Sequence, residues 1–130
     1  MTVSIRWDND DKTVILQELV GDVTVEDYLH LTQVTHAMLT SVSHTVHIIY
    51  DRTAADSVPA QMSKVFHHSN KYVTANIGVK IVVGAVLVTR INLQLCKVIA
   101  PALAKDVLFA ETRFEARQMI SGDIDHNARA

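Results

Sequence analysis

The chain has 130 residues, 48% of them hydrophobic and 20% charged, with twelve basic against fourteen acidic side chains for a formal charge of -2. This composition excludes a disordered chain, and the length fits one domain that buries its own core without metal or disulfide support. The charges are dispersed, so no basic patch argues for nucleic acid and no polybasic run argues for anionic lipid.

In chain order, Val3, Ile5 and Trp7 alternate with Ser4 and Arg6, the pattern of a half-buried strand. Asp8 to Asp11 form a turn cluster and KTVILQELV reads as a second strand, which together predict an antiparallel hairpin. After Gly21, Thr24 with Asp27 three residues on makes a capping pattern. Tyr28, Leu31, Thr35, Met38, Leu39 and Val42 then share one helical face, predicting a helix over 25–42. HTVHIIYD is a third strand, with Val46, Ile48 and Tyr50 on one face and Thr45, His47 and Ile49 on the other. A second helix is expected to begin near Ser57 to Pro59 and to bury Met62, Val65 and Phe66. Gly78 to Gly84 is the most β-rich run and is placed centrally in the sheet. A third helix brings Leu87, Ile91, Leu95, Val98 and Ala102 to helical spacing as its core face and ends at Pro101. DVLFA is a short last strand. Thr112 and Glu115 form a capping box for a final helix offering Phe114, Ala116, Met119 and Ile120 for burial, and the polar residues from Ser121 are expected to fray.

The fold class is therefore α/β, with a mixed β-sheet: an N-terminal antiparallel hairpin followed by alternating helices and strands, β-β-α-β-α-β-α-β-α. One domain over 1–120 and a flexible tail over 121–130 are expected. The single cysteine, Cys96, rules out an internal disulfide and suits a reducing compartment. The start MTVSIRWDNDDK lacks the features of a signal peptide, and the apolar run Ile77 to Val88 is too short to span a bilayer, so a cytoplasmic location is expected.

The hairpin IRWDNDDKTVILQEL, the entry GDVTVED, the strand VHIIYD, the segment ANIGVKIVVG and the closing LFAETRFEA resemble the STAS-like proteins related to the bacterial anti-sigma factor antagonist. The likeness is greatest to the SpoIIAA-like group, and it extends to about Ile120. That resemblance implies a non-enzymatic regulatory domain that binds a protein partner, a regulator or a kinase-like protein, at the loop after the third strand. Classical members carry a phosphorylatable serine there, within an Asp-Ser-Ser/Thr-Gly-like pattern. Asp56 and Ser57 match the start of that pattern, whereas Val58 and Pro59 depart from it. The residues implied for partner binding or switching are Asp51, Arg52, Thr53, Asp56 and Ser57. The group also resembles lipid-binding Sec14-type domains, which implies the alternative of a binding module for a small apolar or lipid-like ligand held between helices and sheet.

Read on its own chemistry, Ser57 is either the cap of the second helix or, if phosphorylated, a negative charge placed in the positive end of that helix's dipole. No G-x-S-x-G elbow surrounds it, so a nucleophile is not expected. The seven histidines show no H-E-x-x-H or Cys/His spacing, so neither a metal nor another cofactor is expected. Cys96 reads as a small buried apolar residue. The sheet face assigned Thr45, His47, Ile49, Lys80 and Val82 stays open between solvent, a homodimer surface and the floor of an apolar cavity.

Overall fold

The alternating apolar residues of the first twenty positions pair as expected in the computed structural model, which describes residues 3–84 and 86–129, without the side chains of 57, 86–89 and 123–129. Strands β1 (Val3–Trp7) and β2 (Val14–Asp22) form an antiparallel hairpin with Ile5 opposite Gln17. Its turn is organised by Asn9, whose Oδ1 accepts from the Thr13 N–H at 3.0 Å and whose Nδ2 donates to the Thr13 hydroxyl at 2.7 Å. Helix α1 (Val25–Thr40) starts at the predicted capping box: the Asp27 N–H donates to Thr24 Oγ1 at 3.2 Å, and the Thr24 N–H donates to Asp27 Oδ2 at 3.0 Å. Both groups satisfy backbone donors that a helix start leaves without partners.

Strand β3 (Val46–Ser57), helix α2 (Met62–Asn70), strand β4 (Ile77–Val83), helices α3 (Val86–Ile99) and α4 (Pro101–Ala104), strand β5 (Val107–Ala110) and helix α5 (Arg113–Arg129) complete the chain. The five strands lie in the order β1-β2-β3-β4-β5, antiparallel only between β1 and β2. From β2 onward each strand is added on the same side of its predecessor. Crossovers of one hand then put every crossover helix on one face of the sheet. Helices α1 to α4 form that layer. Helix α5 covers the other face, packing Ala116, Met119 and Ile120 against Leu16, Ile49, Ile81 and Val83.

Several expectations need correction. Helix α2 begins at Met62, behind Gln61, which makes no side-chain capping bond; β3 instead runs on to Ser57. Ser57 is therefore the last residue of a strand and caps no helix. Pro101 ends α3 as expected, but it also opens the short additional helix α4, where its missing N–H has no helical partner to lose. Of the stripe assigned to the core face of α3, Ile91 is 64% exposed, Leu95 41% and Val98 82%, whereas Cys96 is buried; the side chain of Leu87 lies outside the described residues. Phe114 on α5 is exposed as well. Helix α5 runs from Arg113 to Arg129.

The strand register also moves two residues to the other face of the sheet. Ile48 pairs with Lys80 and Tyr50 with Val82, after a shift in register between Val46 and Ile48. Lys80 and Val82 therefore share a face with Ile48 and Tyr50, beneath the α1–α4 layer, and not with Ile49, which is fully buried under α5.

Candidate functional site: an apolar cavity between sheet and helices

The α1–α4 layer does not close completely on the sheet. It leaves a cavity of about 230 Å³. The floor is the sheet face carrying Gln17, Leu19, Ile48, Tyr50, Lys80 and Val82. Leu31, Thr35 and Leu39 of α1 form one wall, Met62, Val65 and Phe66 of α2 the roof, and Asn92, Leu93 and Cys96 of α3 the far side. At roughly 30 Å³ per water, the space corresponds to about eight water-sized units. The enclosing surface is overwhelmingly aliphatic and aromatic, the character of small-molecule sites.

The polar groups in the lining are mostly committed to one another. Gln17 Nε2 donates to Thr35 Oγ1 at 2.9 Å, tying β2 to α1. The hydroxyls of Thr32 and Ser69 share a hydrogen bond of 2.7 Å between α1 and α2, and His36 Nδ1 lies 3.2 Å from the Tyr72 carbonyl oxygen. Arg52 donates to the Tyr28 hydroxyl at one end and has its guanidinium 5.9 Å from the centre of that ring. Burial pushes the Tyr28 phenol upward against the opposing influence of Arg52.

Lys80 is 6% exposed, in the middle of the β-rich run. Its ammonium donates to the main-chain carbonyls of Leu103 at 2.9 Å and Ala102 at 3.3 Å, holding the end of α4. Burial lowers its pKa, opposed by the charge of Asp106. Beside it, burial pushes the Cys96 thiol up, with Lys80 pulling the other way. The Tyr50 phenol is raised far above its ordinary range by burial first and the charge of Cys96 second. The raised thiol pKa fits the reading of Cys96 as a small buried side chain, the opposite of an activated nucleophile.

The five residues implied for a switch loop do not form one surface, because alternate residues of β3 face opposite ways. Asp51, 8% exposed, points toward α5, where it pairs with Arg113 and accepts from the Thr53 N–H at 2.9 Å. Burial alone would raise its carboxyl, but the bonds from Thr53 and Arg113 outweigh that and hold it below the usual carboxylate range. Arg52, 7% exposed, points into the cavity. Thr53 and Asp56 are exposed, and the side chain of Ser57 lies outside the described residues. Besides Arg52, this loop contributes Val58 to the cavity lining. Sequence reasoning missed Gln17 and Tyr50 as lining groups; Lys80 and Val82 stood on the face left open as a cavity floor, but beside Thr45, His47 and Ile49, which do not line it. A lysine and a tyrosine inside otherwise apolar strands were the available signals. Among the described residues no three His, Cys, Asp or Glu side chains come together as a metal site would require.

The chain has a SpoIIAA-like fold. It is similar to the crystal structure of an uncharacterized protein from the DUF3478 family with a SpoIIAA-like fold, from Shewanella loihica PV-4, with a TM-score of 0.65 at 15% identity, over 90% of this chain and 92% of that one. No family model matches the chain, and no curated protein matches it. Among the described residues no helix is long and apolar enough to cross a membrane.

Proposed function

We propose that the protein is a non-catalytic binding module for a small, largely apolar molecule held between the α1–α3 layer and the sheet. The observation that carries this reading is the cavity itself. Well-packed interiors rarely leave voids larger than a water, and a space lined mainly by apolar side chains with a few placed polar groups has the character of a small-molecule site. The switch-loop reading has less behind it. Two of its five residues are buried, and Ser57 lies ahead of the helix terminus whose dipole would have made its phosphorylation legible to a partner.

The test is isothermal titration with 1-octanol on the wild type and on Val82→Phe, which fills the floor of the cavity. Saturable one-site binding to the wild type, with at least tenfold weakening in a Val82→Phe protein of native circular dichroism, is the expected result. Binding that Val82→Phe leaves intact would place the guest elsewhere, and no binding to the wild type would sink the cavity reading.

A further inference from the structure

Lys80 is not accounted for by its contacts with α4. An ammonium carries three N–H donors, and Lys80 uses two of them, on Ala102 and Leu103. Among the described residues no carboxylate lies within ion-pair distance of it. No Asp or Glu lines the cavity. A buried cation without a carboxylate partner is costly, and the cost is relieved when an anion arrives.

The second observation is Tyr50. It belongs to the same floor, on the strand neighbouring Lys80 and one register pair away, since Lys80 pairs with Ile48 and Tyr50 with Val82. Tyr50 is half-buried and lines the cavity, and its hydroxyl makes no hydrogen bond among the described residues. The floor thus offers a spare ammonium N–H and a spare phenolic O–H within an otherwise apolar space. Arg52, the other cation of the lining, is committed to Tyr28.

Resting on the cavity reading, we infer that the ligand is an amphipathic monoanion, a carboxylic acid with a compact apolar tail, whose carboxylate docks on Lys80 and Tyr50. Charge-assisted hydrogen bonds are about twice as strong as neutral ones, and burial strengthens them further. The groups whose charge bears on Lys80 are Asp106, Cys96 and Lys105. Asp106 favours the charged ammonium before the ligand arrives, and Lys105 opposes it.

The experiment compares octanoate with 1-octanol, which share a tail and differ in the head, by calorimetry at neutral pH. Wild type is expected to bind octanoate about tenfold or more tighter than octanol. Lys80→Met, which keeps the aliphatic stem, is expected to bind the two alike, Lys80→Arg to retain the preference, Tyr50→Phe to lose part of it, and Arg52→Met to keep it. In parallel, the 13C resonance of carboxyl-labelled octanoate bound to wild type should titrate below its free value, because the cation resists protonation of the carboxylate. Equal affinity for the two probes in wild type, or a preference that survives Lys80→Met or vanishes in Arg52→Met, would overturn the anchor while leaving the cavity reading intact. If neither probe binds, both fail. Should Lys80→Met not fold because α4 is released, the octanoate-to-octanol ratio in wild type, Lys80→Arg and Tyr50→Phe together with the carboxyl titration still decides the question.

Discussion

Gly78 stands where the His47 side chain lies against the backbone of β4. A Cβ at that position would lie 2.3 Å from Nδ1 of His47, a distance no side chain accepts. The same nitrogen accepts the Val79 N–H at 3.0 Å, so the buried ring cannot swing away without breaking a bond to the backbone of β4. Gly78→Ala is therefore expected to cost about 1–3 kcal/mol, as overpacked interiors do. Urea denaturation checks this, and a smaller cost of the same change in a His47→Ala background would identify the ring as the cause. Neither residue could have been paired from sequence, because nothing in two separate strands states their relative register. The same gap explains Lys80. Its presence in a β-rich run was visible, but the side of the sheet it faces depends on the shift between Val46 and Ile48. A one-residue slip in pairing exchanges the faces of a strand.

Among the elements, those that local chemistry specifies were legible and those that tertiary packing orients were not. Thr24 with Asp27 and Thr112 with Glu115 are local signals, and both helices start there, the second with the Glu115 N–H donating to Thr112 Oγ1 at 3.1 Å. Helix α3 shows the other case. Its apolar residues surround much of its circumference, so periodicity predicts a helix, but the face chosen from it includes Ile91, Leu95 and Val98, which are exposed. The face turned inward is the one with Asn92, Leu93 and Cys96, which borders the cavity. Val98→Ser, a change that would be severe on a core face, should alter the midpoint of thermal unfolding by no more than the equivalent of about 0.5 kcal/mol. Differential scanning calorimetry decides it, and a large loss would mean that α3 is turned the other way. The start of α2 differs from expectation because Ser57 and Pro59 are good helix-entry residues, yet Asp22 opposite Ser57 continues the β2–β3 ladder as far as Ser57.

For the molecule as a whole, the sheet's second face is closed by ionic clamps as well as by burial. Glu18 and Asp51 sit opposite each other on β2 and β3, where like charges would repel, and Arg113 of α5 bridges them, 2.7 Å from Glu18 and paired with Asp51. Arg117 grips Asp8 with two bonds of 2.8 Å. The hydrogen bond from Arg6 is the main influence lowering the Glu18 carboxyl, and Arg113 adds to it. Asp51 is lowered too. Carboxyls held below their ordinary values stay ionised in the folded chain after the unfolded chain would take up protons. Their stabilisation is complete above about pH 4 and is lost as pH falls through the folded values. Arg113→Met is expected to lose about 2 kcal/mol at neutral pH, between exposed and buried ion pairs in size. It should also flatten the acid limb of stability against pH, as urea denaturation from pH 6 to pH 2.5 would reveal. An unchanged acid limb would show that other carboxylates govern it.

The placement of α5 has a consequence for synthesis. During elongation every other part of the sheet can assemble as it emerges, each crossover helix arriving with the strand it serves. Among the described residues the face bearing Leu16, Ile49, Ile81 and Val83 is covered by α5, which is made after all five strands. Until Arg113 and Ala116 leave the ribosome, a nearly finished domain presents a continuous oily plane to its surroundings, the kind of transient surface that draws nascent chains together. Helix α5 thus closes that face, and a chain stopped just before it would leave the plane open.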